Sequence, residues 1–212
     1  MHNKYHLILT LISMIPIPAL SALIEADFIA TGDSLLTQDT DSRLEWLDIT
    51  YAQGAGRMVL EGGYKDLLTV HGFRYATQTE LSNLFSASSI YDLSNNFTQS
   101  NYTGVQTLQS LIGITNTRTF VNDDWIYGPI TSGIVDFDNH NTFQSAVAKV
   151  QILDSLPIAR ATLEESVISD NTSSNLIGNY LVREIQPVPV PPALYLFISG
   201  IIGMLSFNFK KT

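Results

Sequence analysis

The chain has 212 residues and a formal net charge of -9, and it contains no cysteine. Without cysteine there are no disulfides, no catalytic thiol and no thiolate ligands for a metal. The excess of acidic side chains argues against nucleic acid as a partner, because binding to a phosphate backbone depends on lysine and arginine.

The first 22 residues have the layout of a secretory signal peptide. Lys4 supplies a positive start, and an apolar run over residues 7–15 ends at a proline. Small residues over 19–22 then offer a cleavage site, which is the order found in exported chains. The apolar run is too short to span a bilayer stably. We therefore predict that residues 1–22 are removed after export.

The beginning of the exported part is predicted to contain strands on either side of a turn. Apolar pairs at 28–29 and 35–36 are strand candidates, and a polar stretch over 37–42 follows them. Aspartate and serine suit this turn, because their side chains bond nearby backbone amides. Residues 44–50 then alternate as a short strand does. The inward-facing positions of this strand are predicted to be Leu44, Trp46 and Ile49.

The middle of the chain has the sequence pattern of helices. Residues 57–70 form a helical region that a pair of glycines interrupts. Thr77 and Glu80, three residues apart, form a capping box that predicts the start of a second helix. A third helix is predicted over 104–112, where apolar residues recur at helical spacing. The buried stripes of these two helices are predicted to be Leu81, Leu84 and Phe85, and then Val105, Leu108, Leu111 and Ile112.

One ion pair is predicted just before the capping box. Arg74 lies three residues ahead of Thr77, and Glu80 and Asp66 are both within reach of its side chain. An arginine beside carboxylates can clamp an anionic substrate. A structural ion pair beneath the helix cap is the preferred interpretation here.

Strand-like sequence returns in the second half of the chain. Helices in the middle and strands at both ends predict an α+β fold in which the two terminal strands pair with each other. We expect one exported globular domain over residues 23–186, called the body below. Polar stretches over 82–101 and 169–175 are predicted as loops. The later strands are predicted over residues 125–130, 133–137, 146–153 and 180–184.

Two acidic clusters could carry chemistry. Residues 136–141 place oxygen ligands at alternate positions, as a calcium loop does, but the glycine and glutamate such a loop needs are missing. A polar turn is therefore favoured there. Residues 122–125 offer two adjacent carboxylates beside a tryptophan and could bind a sugar or an ion. A turn ahead of a strand is the preferred interpretation, so no metal and no other cofactor is predicted.

The body offers little support for catalysis. Its histidines, His71 and His140, do not share a metal-binding spacing, and no Gly-x-Ser-x-Gly elbow is present. We therefore predict that the protein is not an enzyme. The alternative is a carbohydrate-active hydrolase with Asp123 and Asp136 as acid and base. That mechanism requires two carboxyl groups about 5–10 Å apart across one cleft.

The carboxyl end has the pattern of a membrane anchor. An uncharged apolar segment over 193–207 follows a proline pair and precedes Lys210 and Lys211. We predict a transmembrane helix over about 191–209. Its apolar part spans about 22–25 Å, which is short of the ~30 Å hydrocarbon core. The terminal lysines fit the cytoplasmic side.

This carboxyl end resembles a PEP-CTERM sorting signal, in the variant with a Val-Pro-x-Pro-Ala motif. The resemblance also includes the aromatic-Leu-Phe segment at 195–197 and the glycines at 200 and 203. It implies recognition by an exosortase, a membrane-embedded cysteine protease that cuts near the proline motif. It further implies a Gram-negative host that makes exopolysaccharide. The sorting signal covers residues 187–212, with its motif at Val188, Pro189, Val190, Pro191, Pro192 and Ala193 and its basic tail at Lys210 and Lys211.

Three segments of the body resemble a family of bacterial exported domains. The segments are 39–46, 72–81 and 178–184. The family is related to the C-terminal domain of Legionella collagen-like adhesin and has a fold like that of C-type lectins. The resemblance implies a single lectin-like domain with a mixed or antiparallel sheet and two or three helices, and a carbohydrate-binding role. The family-motif residues here are Trp46, Arg74, Thr77, Glu80 and Leu81.

Together these features predict an exported protein of the cell surface or extracellular matrix of a Gram-negative bacterium. The chain would be anchored transiently in the inner membrane by its C-terminal helix and then cut by an exosortase. Its body would have a structural or carbohydrate-binding role, with exopolysaccharide as the expected partner. The alternatives are the hydrolase described above and a permanently anchored single-pass membrane protein.

Overall fold

The computed structural model describes residues 23–117, 120–122, 125–136 and 144–185. The predicted signal peptide and the predicted sorting signal, with its transmembrane helix, lie outside these ranges. So do Asp123, His140 and most of the calcium-like segment. Within the described ranges, no helix is both long and apolar enough to cross a membrane.

The described residues contain both helices and strands, so the predicted α+β class is confirmed. Ten strands, three α-helices and one 3-10 helix are present in this part of the chain. The elements are, in chain order, β1 (Leu23–Ala26), β2 (Leu36–Asp39), β3 (Leu44–Leu47), α1 (Arg57–Glu61), a 3-10 helix (Tyr64–Asp66), β4 (Arg74–Tyr75), α2 (Gln78–Ala87), α3 (Tyr102–Ile112), β5 (Phe120–Asn122), β6 (Trp125–Val135), β7 (Gln144–Leu153), β8 (Ile158–Ser169), β9 (Gly178–Asn179) and β10 (Leu181–Glu184).

The first sheet contains strands from both ends of the body. Its order is β1-β2-β3-β10-β4, and every neighbouring pair in it is antiparallel. The last strand, β10, lies between β3 and β4, with Val182 opposite Trp46. The two terminal strands share this sheet, but the prediction that they pair with each other is wrong, because β1 pairs with β2 at the edge of the sheet and β10 pairs with β3 and β4.

The second sheet is built from longer strands. Its order is β5-β6-β7-β8, and the short β9 pairs with β6 in parallel. Sequence analysis predicts two strands, over 125–130 and 133–137, where β6 forms one. The intervening Thr131 and Ser132 pair with Val150 and Lys149 of β7. Pro129 lies inside β6, where the register between β6 and β7 shifts between Tyr127 and Ile130. A proline without an N–H is tolerated at such a bulge.

Strand β8 is absent from the sequence prediction. Its inward side carries Ala159 and Ala161, both fully buried, and Arg160 between them bonds to Gln151 of β7. Alanine is a weak strand former and gives little hydrophobic contrast, so the alternating pattern is hard to detect. The small alanine side chains leave room for α3, which packs on this face of β7 and β8.

The start of the body also differs from the prediction. No strand forms at residues 28–29, where a tight bend takes its place. Asp33 holds this bend, since its carboxylate accepts the backbone N–H groups of Phe28, Ile29 and Ala30 at 2.8–2.9 Å. Strand β2 in turn extends to Asp39, into the segment predicted as a turn.

The helical region predicted over 57–70 is interrupted at the glycine pair, as predicted, but it does not resume as an α-helix beyond it. Helix α1 ends at Glu61, and Gly63 has a φ of 98°. Lys65 and Asp66 then take left-handed backbone conformations, with φ of 52° and 54°. A right-handed helix cannot continue through such residues. The conformation is held in place by the Lys65 ammonium, which lies 3.7 Å from the centroid of the Tyr51 ring.

One large apolar cluster joins the two sheets to α2 and α3. The capping box and both helices form as predicted, although α2 begins at Gln78 and reaches Ala87, inside the segment 82–101 that was predicted as a loop. Of the predicted core positions, Leu111 is only partly buried. The others, which are all buried, are Leu44, Trp46, Ile49, Leu81, Leu84, Phe85, Val105, Leu108 and Ile112.

Two buried tyrosines differ in their hydrogen bonding. The Tyr180 hydroxyl has no hydrogen-bond partner among the described residues, and burial raises its pKa. The Tyr75 hydroxyl donates to Asn179 Oδ1 at 3.0 Å. A buried hydroxyl without a partner keeps its full desolvation cost, whereas a bonded one recovers much of it.

This difference predicts opposite effects for the same substitution. Tyr180→Phe is expected to raise the free energy of unfolding by about 1 kcal/mol, because it removes an unpartnered buried hydroxyl. Tyr75→Phe, the matched control, is expected to lower it by about 1–2 kcal/mol, because it removes the hydrogen bond to the buried Asn179 Oδ1. Urea unfolding followed by circular dichroism measures both. A loss of stability in Tyr180→Phe equal to that in Tyr75→Phe would contradict the prediction.

Candidate functional site: a polar groove beside α2

The three segments that carry the family resemblance meet in the first sheet. Segment 39–46 ends in β3, segment 178–184 ends in β10, and segment 72–81 contains β4 and the start of α2. In the sheet order, β10 lies between the other two strands. The motif residues divide into two groups. Trp46 and Leu81 belong to the core, whereas Arg74, Thr77 and Glu80 form a polar cluster at the start of α2.

This polar cluster is closely bonded. Glu80 Oε2 accepts the Thr77 backbone N–H at 2.9 Å, and Thr77 Oγ1 accepts the Glu80 backbone N–H at 3.2 Å. The Arg74 guanidinium donates to both oxygens of Glu80, at 2.6 and 2.8 Å. The predicted ion pair with Glu80 is confirmed. Asp66, the other predicted partner, belongs to the 3-10 helix and makes no ion pair with Arg74 among the described residues.

The Arg74 guanidinium controls the ionisation of Glu80. Its two hydrogen bonds, with those from Thr77, lower the pKa of Glu80 to about 2, although partial burial acts in the opposite direction. The pKa of Arg74 is raised by the same pairing. Glu80 is therefore a carboxylate at neutral pH and is poorly suited to donate a proton to a substrate.

A groove runs along α2, between this helix, the turn after β2 and the end of β10. It consists of two cavities of about 690 and 540 Å³ that share Ser42 and Asn83. Each is within the range of small-molecule sites, about 300–1,000 Å³. The larger cavity, called the arginine end, is lined by Arg43, Arg74, Glu80, Asn83, Glu184 and Ile185. The smaller cavity, called the tyrosine end, is lined by Asp39, Asp41, Ser42, Asn83, Ser86 and Tyr91.

The turn that forms one wall of the groove is fixed by Asp39. This residue is buried, and its Oδ1 accepts the backbone N–H groups of Asp41 at 3.0 Å and Ser42 at 3.3 Å. Arg43 follows with a left-handed φ of 58°, and its carbonyl accepts the Ile185 backbone N–H at 2.9 Å. The β2–β3 turn is thus held by Asp39 on one side and connected by Arg43 to the end of β10 on the other.

The tyrosine end contains polar side chains with unused hydrogen-bonding capacity. Tyr91 is 71% exposed, so most of its surface is open to solvent. Within the described ranges, the side chains of Asp41, Asn83, Ser86 and Tyr91 make no hydrogen bond or ion pair with one another or with other residues. An aromatic ring, a carboxylate, an amide and a hydroxyl therefore face one cavity without an intramolecular role.

Asp136, one of the two carboxylates considered for a hydrolase, does not line this groove. Asp136 is 46% exposed and pairs with Arg57 at 3.1 Å, and Arg57 also bonds to Glu61 at 2.9 Å. Asp123 lies outside the described residues, so the distance between the two carboxyl groups is not defined. Among the residues that the structure does describe, no group of three or more histidine, aspartate or glutamate side chains could hold a metal ion.

At the level of class, the chain is an α+β protein with two sheets and a polar surface groove. No protein-family model, no curated protein and no solved structure matches it. The two family resemblances found in the sequence therefore stay predictions.

Sequence reasoning does not identify the tyrosine end. Asn83, Ser86 and Tyr91 fall in a stretch predicted as a loop, and Asp41 was assigned only to a turn. The sequence offers one indication of this site: α2 has a polar face, and a tyrosine in a polar segment follows the helix after a few residues. That face becomes a site only when the β2–β3 turn is placed beside it, which requires the tertiary structure.

Proposed function

We propose that the body binds carbohydrate in the groove beside α2. The observation that carries this proposal is the exposed Tyr91 ring beside the unpartnered side chains of Asp41 and Asn83. The apolar face of a sugar ring can pack on an aromatic ring, while its hydroxyls bond to carboxylate and amide oxygens. A pocket with one aromatic surface and a few converging polar groups fits such a ligand.

A binding role fits the groove better than hydrolysis. A glycosidase needs a carboxylic acid with a raised pKa close to a second carboxylate. Glu80 has a lowered pKa and is occupied by Arg74 and Thr77. A non-enzymatic role, structural or carbohydrate-binding, and a lectin-like fold are therefore our preferred interpretation of the body.

Binding is tested by removing the aromatic ring. We expect Tyr91→Ala in the full-length chain, purified in detergent, to weaken retention on a glycan microarray by about tenfold or more, since loss of a stacked ring costs about 1.4 kcal/mol. Val70→Ala, which changes a side chain of equal exposure (71%) outside the groove, is the control. Unchanged retention of Tyr91→Ala, or no retention of the parent chain on any glycan, would reject the groove as a carbohydrate site.

Export and sorting form the second part of the proposal and depend on the sequence alone. The signal peptide over 1–22, the proline motif over 188–193 and the terminal lysines support export and processing by an exosortase. The mature protein would then reach the cell surface or the extracellular matrix. A permanently anchored single-pass protein is the competing form, and it would keep the whole carboxyl end.

Mass spectrometry of the mature carboxyl end separates these two forms. If the chain is processed, we expect the native protein to end near residues 188–193. An intact Thr212 in the cell-surface fraction would instead show a permanent anchor. Substitution of the proline motif by alanines should leave the unprocessed chain in the membrane fraction, whereas alanines at exposed positions of the body should not.

A further inference from the structure

We propose that the tyrosine end of the groove selects amino sugars, with a protonated amine held between the Tyr91 ring and the Asp41 carboxylate. This inference rests on the proposed carbohydrate-binding function and names the ligand class. Both side chains line the same 540 Å³ cavity. Neither makes a side-chain bond to another described residue, so both are available to a ligand.

An ammonium group satisfies both side chains at once. A cation over the face of a tyrosine ring is attracted by the negative potential of that face. A carboxylate accepts a short, charge-assisted hydrogen bond from the same ammonium group. An N-acetylated sugar offers an amide in that position, which has no charge and provides neither interaction at comparable strength.

The charges around the groove favour a cationic ligand over an anionic one. The carboxylates that line it are Asp39, Asp41, Glu80 and Glu184, and the cations are Arg43 and Arg74, of which Arg74 is bound to Glu80. The charge of the whole body strengthens this preference. Every acidic residue of the chain lies within residues 23–186, whereas three of its basic residues, Lys4, Lys210 and Lys211, lie outside this range. A polymer of uronic acids would therefore meet like charge across most of the body.

A polysaccharide fits the groove better than a lysine side chain does. The tyrosine end continues through Ser42 and Asn83 into the arginine end, so a ligand can extend over both cavities. Along this path Asn83 and Ser86 offer hydrogen-bonding groups suited to sugar hydroxyls. An extended amino-sugar chain can use these groups, whereas the aliphatic stem of lysine cannot.

Calorimetric titration of the full-length chain in detergent tests the inference. Three hexasaccharides serve as probes: glucosamine, N-acetylglucosamine and galacturonic acid, at a pH where the amine is protonated. We expect the glucosamine hexamer to bind about tenfold or more tightly than the N-acetylated one. Raising the salt from about 0.1 M to about 1 M shortens the screening length from about 10 Å to about 3 Å and should remove most of that preference.

Two variants separate the amine preference from general binding. Asp41→Asn keeps the size and the turn position and should bring the glucosamine and N-acetylglucosamine hexamers to similar affinity. Glu25→Gln, which removes an exposed carboxylate on the edge strand β1, should keep the full preference. Tyr91→Ala should weaken both hexamers.

Each remaining outcome overturns a defined part of the proposal. Equal affinity of the parent chain for the two hexamers, or a preference that survives in Asp41→Asn, rejects the amine inference but leaves carbohydrate binding intact. Displacement of the glucosamine hexamer by a lysine hexapeptide at equal concentration rejects the sugar as the selected ligand. Binding of none of the three hexasaccharides rejects the proposed function as well.

Discussion

Replacement of Trp46 by alanine is expected to lower the free energy of unfolding by about 3–5 kcal/mol, as for other large aromatic residues in cores. Trp46 is 1% exposed and lies in the main apolar cluster with Phe85 and Leu108. It stands on β3 opposite Val182 of β10, where the first sheet joins the two ends of the body. Urea unfolding followed by fluorescence and circular dichroism measures the loss.

Two control substitutions isolate the cause of that loss. Trp46 Nε1 has no hydrogen-bond partner among the described residues, so Trp46→Phe should cost clearly less than Trp46→Ala. Ile24→Ala, at a 48% exposed position on β1, should change the free energy of unfolding by no more than about 0.5 kcal/mol. If Trp46→Ala costs no more than Ile24→Ala, then Trp46 is not part of the core.

Replacement of Glu80 by alanine is expected to lower the free energy of unfolding by about 2 kcal/mol near neutral pH, through the combined loss of a helix cap and an ion pair. Glu80 carries both roles, because its carboxylate accepts bonds from Thr77 and from Arg74. The Arg74 partner is half exposed, so solvent screening limits the share of the ion pair.

The same substitution is expected to change the response to acid. The pKa of Glu80 is lowered from 4.5 to about 2 in the folded protein, so the unfolded chain binds this proton more readily. The stabilisation by Glu80 is therefore fully present above about pH 4.5 and is lost as the pH falls toward 2. Glu80→Ala should show a shallower loss of stability between these pH values than the parent chain does.

Glu61→Ala is the matched control for this measurement. Glu61 also pairs with an arginine, Arg57, but in an i,i+4 pair on α1 in which the Glu61 side chain is 51% exposed. Such pairs contribute about 0.3–0.5 kcal/mol, so the variant should keep the acid response of the parent chain. An identical slope of stability against pH in Glu80→Ala and the parent chain would contradict the assigned role of Glu80.

Local signals explain the part of the fold that the sequence predicts well. The capping box of Thr77 and Glu80 uses residues three apart, and the buried stripe of α2 repeats within three turns of helix. The Arg74–Glu80 pair also joins near neighbours in the chain. None of these features needs information from distant segments, which is why a single sequence is enough to find them.

The errors share a different physical origin. Strand β8 buries alanines that a hydrophobic pattern does not detect, and β6 continues through the polar residues Thr131 and Ser132, which are buried and pair with β7. The helical region does not resume after Gly63, because Lys65 has a left-handed backbone conformation that its contact with Tyr51 holds in place. In each case a tertiary contact overrides the local preference.

The candidate site was predictable only in part. Arg74 and Glu80 were identified from the sequence, although as a structural pair, and the structure supports that role. The tyrosine end was not, because Asp41 and Tyr91 are 50 residues apart in the chain and line one cavity only in the folded protein. A spacing of that length carries no signal in a single sequence.

The position of β10 has a consequence for the order of folding. This strand is the last of the body, yet it lies inside the first sheet, and its Arg183 bonds to Glu45 across 138 residues of chain. Contacts of such sequence separation form slowly, since a long loop must close before they contribute. If the chain is exported from its amino end, as we propose, β10 would be the last strand of the body to cross the membrane. The first sheet would then be completed only after nearly all of the body has passed.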